Sequence, residues 1–122
     1  MHEIVDHILS RVRSVTLDPD PFPHFIVDNV FPNEFYAELL CNLPDQRNYV
    51  PLDDRGDITE QSNSCRSVLK LEPNELERLD PKEHKFWSDL VGALESETFT
   101  SAITTYTFAH LKQRFFGKLD LS

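Results

Sequence analysis

Between Asp18 and Pro23 the chain reads Asp18-Pro19-Asp20-Pro21-Phe22-Pro23, with prolines at alternate positions. Each proline lacks an amide donor and pushes the residue before it toward extended geometry, so no helix runs through this stretch. It is a stiff linker that divides the chain. On its N-terminal side Ile4, Val5, Ile8, Leu9 and Val12 share one helical face, which predicts a helix over 3–15. On its C-terminal side Phe25, Ile26 and Val27 form a continuous apolar run. Such a run predicts a strand over 22–28, buried on both faces.

Pro32 opens a second helix, predicted over 32–43, at the position where a missing amide costs least. Its apolar face is Phe35, Tyr36, Leu39, Leu40 and Leu43, and Pro44 stops it. Residues 45–62 carry Asp53, Asp54, Asp57 and Glu60 with Gly56, and read as an exposed acidic loop. A second strand is predicted over 64–71. Cys65, Ser67, Leu69 and Leu71 lie on one face, with Val68 opposite, between Arg66 and Lys70. Asp80-Pro81-Lys82-Glu83 is a helix start, with an Asp cap, a first-turn Pro and an acid at the third position. The helix, 81–95, shows Phe86, Trp87, Leu90, Val91 and Leu94. Ser96-Glu97 begins a helical stretch over 97–116 with Phe99, Ala102, Ile103, Tyr106, Phe108, Leu111 and Phe115, ended by Gly117. Its threonines are weak helix formers. The expectation is an α+β fold with four to five helices and a short sheet of two to three strands. At 122 residues it is a single domain or an N-terminal subdomain.

The charge balance removes several function classes. With 21 acids against 12 Lys and Arg, the net charge is −9. Binding to phosphate backbones or anionic membranes needs a basic face. The acids form no regular track, so mimicry of nucleic acid is not supported either. No apolar run reaches the ~18 residues of a membrane span. Glu3 and Asp6 stand where a signal peptide would begin with bases and an apolar run. The chain therefore reads as intracellular, cytoplasmic, with Cys41 and Cys65 as reduced thiols.

No motif assigns a catalytic, cofactor-binding or metal residue. His2-Glu3-Ile4-Val5-Asp6-His7 resembles a zinc-protease His-Glu-x-x-His with one residue too many. The extra residue turns the two imidazoles ~140° apart around a helix. His24, His84 and His110 are singletons. Asp53-Asp54-Arg55-Gly56-Asp57 fails the calcium-loop spacing, and its Arg-Gly-Asp reads as a chance tripeptide. Arg47, Arg55, Arg66 and Lys70 could face an acidic co-substrate, but fit a solvated strand face better. Asn63-Ser64-Cys65 is at best a rare variant of the glycosylation sequon. Glycines at 56, 92 and 117 make no phosphate loop, and no Ser/His/Asp order supports nucleophilic catalysis.

Pro21-Phe22-Pro23-His24-Phe25 through Asp28, then Phe31-Pro32 opening a helix that ends at Leu43-Pro44, resembles the N-terminal part of Fe(II)/2-oxoglutarate-dependent oxygenases of the prolyl-hydroxylase-like group. Asn63 to Leu71 is similar to the strand that follows in those proteins. Phe86 to Leu90 and Phe99 to Gly117 resemble the helices before their catalytic barrel. The resemblance implies iron and 2-oxoglutarate as cofactors of a complete protein and oxidation of an unactivated carbon. In the family two His and one carboxylate hold the iron, from a His-x-Asp/Glu pair and a distant His. This sequence contains no His-x-Asp or His-x-Glu, so no metal or 2-oxoglutarate residue carries over.

Two expectations follow. In one, the chain is the non-catalytic N-terminal portion of such a hydroxylase, packing on a catalytic barrel outside this sequence. It would then expose apolar helix faces and tend to self-associate in isolation. In the other, it is a free-standing intracellular α+β module that binds a protein partner without catalysis.

Overall fold

The computed structural model describes residues 1–51 and 66–114, with side chains through residue 109. Five α-helices and a two-stranded antiparallel sheet give an α+β fold. The helices are α1 His2–Ser14, α2 Asn33–Cys41, α3 Pro73–Leu76, α4 Pro81–Leu94 and α5 Glu97–Arg114; the strands are β1 Val50–Pro51 and β2 Ser67–Val68. The residues group into two compact units. One comprises 1–37 with 92–122, the other 38–91, and the divisions fall inside α2 and α4.

In the first unit, α1 forms because its apolar spacing gives it one face to bury. Val5, Ile8, Leu9 and Val12 are all buried. Glu3 in the first turn and Arg11 and Arg13 in the last complement the helix dipole. Val15 leaves the helix in extended geometry. Val5, Leu9 and Ala93 form a buried cluster against which Phe99, Ala102 and Ile103 of α5 pack. The Tyr106 hydroxyl of α5 donates to the Val15 carbonyl at 2.7 Å, and its ring meets Phe25 edge-on. Ser96 caps α5, its Oγ accepting from the Phe99 amide at 3.2 Å. That contact matters because α5 carries several threonines.

The predicted strand over 22–28 does not form. The segment makes one isolated antiparallel bridge, Asp18 to His24, with N–H···O distances of 2.7 and 2.9 Å. The physical reason lies in the donors. Pro19, Pro21 and Pro23 have none, and the Asp20 amide is taken by the Asp18 carboxylate at 2.9 Å. Instead of buried faces, Ile26 is 75% exposed and Phe22 63%. Asn29 ends the segment with φ 54°, a left-handed conformation that asparagine adopts more easily than most residues.

In the second unit, Asp80 caps α4 as its sequence indicates, its carboxylate accepting from the Glu83 amide at 2.9 Å. Leu76, Leu79, Phe86 and Leu90 are buried. The Trp87 indole donates to the Asn42 carbonyl at 2.8 Å. Val50 pairs with Val68 and Pro51 with Ser67. Of the predicted 64–71 strand, Ser67 and Val68 are the paired residues among those described. The predicted faces are exchanged in part: Ser67 and Leu71 are exposed while Val68 is half-buried. The stretch read as an acidic loop contains β1 and a 3-10 turn, Gln46–Asn48. Asp45 caps that turn by accepting from the Arg47 amide. Residues 52–65, including Asp53, Asp54, Asp57, Glu60, Arg55-Gly56-Asp57, Asn63 and Cys65, lie outside the described residues.

Candidate functional site

The residues singled out for chemistry do not converge. His2 is exposed and faces Asp6 one turn on, at 3.6 Å. His7 bonds instead to the Asn29 carbonyl at 3.1 Å. The two histidines of the zinc-protease-like hexad thus have separate partners, as their five-residue spacing on a helix requires. His24 is neither fully buried nor free: Nδ1 lies 2.7 Å from the Phe22 carbonyl and Nε2 3.8 Å from the Asp18 carboxylate. His84 is half-buried in the first turn of α4, and the side chain of His110 lies outside the description. Among the described residues no three His, Cys, Asp or Glu side chains are placed to hold a metal ion.

Arg47 and Arg66 are exposed and Lys70 is half-buried. Arg78, which the sequence reading did not single out, donates to the Asn48 carbonyl at 3.2 Å and lies 3.6 Å from Glu75. Neither a charge motif nor a periodicity marks that role, because it depends on a turn thirty residues away in sequence. Asn42 was also missed. It is 1% exposed, donates to the Glu38 carbonyl at 2.8 Å, and leaves its Oδ1 buried without a hydrogen-bond partner. Cys41 is an exposed free thiol.

Two titratable groups, the Glu83 carboxyl and the Lys85 ammonium, depart from their ordinary pKa. Desolvation, and next the charge of Asp80, raise the pKa of Glu83. Asp89 holds Lys85 above its usual value, mainly by accepting a hydrogen bond at 2.7 Å. Both are interactions within or at the start of α4.

Two shallow depressions occur in the first unit. One, of about 540 Å³, is lined by Arg13, Ser101, Thr105 and Tyr106 among others. The other, of about 360 Å³, lies at His7, Arg11, Asn29 and the start of α2. There Arg11 Nε donates to the Asp28 carbonyl at 3.1 Å. The most distinctive feature of this unit is the Asp18–Asp28 segment, with Phe22 and Ile26 exposed between exposed Asp18, Asp20 and Asp28. Comparisons with protein families, with curated proteins and with solved structures each find no match.

Proposed function

We propose that this chain is the non-catalytic N-terminal portion of an Fe(II)/2-oxoglutarate-dependent dioxygenase, a hydroxylase, and packs on the catalytic barrel of the complete protein. One observation carries the reading. The stretch that chiefly carries the resemblance to those enzymes, Pro21 to Asp28, also holds the two most exposed large apolar side chains among the described residues. Ile26 and Phe22 are 75% and 63% exposed, although Phe25-Ile26-Val27 is a run suited to burial. Burying one such side chain is worth roughly 1.5–3 kcal/mol, so a surface that covers it gains stability. On α2 the same holds in smaller measure: Phe35 is buried, but Tyr36 and Leu40 on the adjoining face are exposed.

The residues of this chain do not fit the iron and 2-oxoglutarate of such an enzyme. The sequence has no His-x-Asp or His-x-Glu, and the described residues bring no ligand trio together. The chemistry therefore belongs to the barrel, and this chain contributes a packing surface.

The test has two arms. Translation of the reading frame past Ser122 should show His-x-Asp/Glu, then a distant His and a basic residue; a frame without them removes the oxygenase assignment. Iron-dependent succinate release should appear only in a polypeptide holding those residues. Turnover by residues 1–122 alone would contradict the absence of a site here.

A further inference from the structure

The Asp18–Asp28 segment lies in an acidic stretch of the sequence. Between Ser14 and Gln46 the sequence has six acids, Asp18, Asp20, Asp28, Glu34, Glu38 and Asp45, and no Lys or Arg. All twelve bases of the chain lie elsewhere. Among the described residues, Asp20 and Asp28 have no ion-pair partner. Arg11 reaches the segment through the Asp28 backbone carbonyl and forms no ion pair with its carboxylate. The Asp18 carboxylate accepts from the Asp20 amide and faces His24 at 3.8 Å. Two exposed apolar side chains, Phe22 and Ile26, thus lie among three exposed carboxylates, of which Asp20 and Asp28 form no ion pair among the described residues.

We propose that the Asp18–Asp28 segment docks a polypeptide segment that presents aliphatic side chains flanked by Lys or Arg. The proposal deepens the packing reading above and rests on it, since a barrel surface covering this segment needs that chemistry. A second copy of the chain is the wrong occupant. It would set Asp18, Asp20 and Asp28 against themselves, and like charges brought face to face oppose association. Cover by an uncharged apolar surface would bury carboxylates without partners, which is costlier still.

The probes are three synthetic peptides titrated into the isotope-labelled 122-residue chain and followed by backbone amide shifts. The first alternates Lys with Ile and Val. The second replaces its Lys by Glu, and the third keeps the Lys but replaces the aliphatics by Ser. The first peptide should shift amides concentrated between 18 and 28, with an affinity that falls as salt rises. The Glu peptide should not bind, and the Ser peptide should bind more weakly and without localisation. The triple variant Asp18→Asn, Asp20→Asn, Asp28→Asn keeps the Asp18 acceptor for the Asp20 amide. It should bind the first peptide about tenfold more weakly, the sum of three exposed ion pairs. Shifts centred elsewhere, equal binding of the Glu peptide, or an unchanged triple variant of unchanged circular dichroism would each overturn the proposal. So would concentration-dependent self-association that shifts the same amides. A reading frame lacking iron ligands sinks the oxygenase reading instead and leaves the peptide results as they are.

Discussion

Helix α1 and the Phe22–Asp28 segment carry similar apolar content and meet opposite fates. Val5, Ile8, Leu9 and Val12 are each 4–6% exposed, while Ile26 is 75% exposed. The difference is in how each element finds its partner. A helix satisfies its own backbone, so its apolar stripe needs only one matching face, and α5 with Ala93 supplies it. A buried extended run must find partners for its backbone outside itself, chiefly in other strands. The prolines at 19, 21 and 23 remove donors from the approach to it, and the pairing stops at one bridge. Hydrophobicity alone therefore does not bury a segment; its hydrogen bonds must also have somewhere to go.

Substitutions can break or sharpen this contrast. The largest effect should come from Leu9→Ala, in the α1 core. Urea denaturation should show a loss of roughly 2–5 kcal/mol, the range for truncating a buried leucine; a loss near zero would mean the α1–α5 contact does not hold the unit. Asp80→Ala removes the α4 cap and should cost about 1 kcal/mol, read in the same experiment. Tyr106→Phe deletes the hydroxyl that ties α5 to the end of α1 and should cost roughly 0.5–1.5 kcal/mol. Ile26→Ala should change stability by less than about 0.5 kcal/mol, as exposed positions do. A core-sized loss there would show that the run is covered after all.

The smallest effect concerns pH. Glu83 has a raised pKa in the folded state, from desolvation and then Asp80. The folded chain then holds this proton more tightly than the unfolded one. Its contribution to stability is present at low pH and falls as pH rises through the upper carboxylate range. Glu83→Gln should flatten that part of the stability–pH curve. A steeper curve in the variant would reverse the sign assigned here.

The helices were the legible part of the fold. Their spacing and caps are local, and the observed limits of α1, α2, α4 and α5 lie within two residues of the expected ones at every end described. Asp80 and Ser96 announce their helices through side-chain chemistry that acts within three residues. The sheet was less legible. β1 and β2 are two residues each, too short for alternation to register, and Val68, opposite Ser67 as expected, is half-buried where the exposed side was expected. Helix α3 was not read at all, because one turn following Pro73 offers no period. Of the candidate surface, the sequence showed the apolar run and the neighbouring acids. It did not show that the run is exposed, because among the described residues no strand pairs with it beyond the single Asp18–His24 bridge.

Trp87 is the chain's single tryptophan, and its indole is fastened to the Asn42 carbonyl within the 38–91 unit. Its fluorescence is consequently a native optical reporter for that unit alone. Tyr106, tied to Val15, belongs to the other unit and can be followed there by its ring proton resonances. Without any added label, emission and resonance signals recorded along one urea titration will reveal whether the two units melt at one midpoint or two.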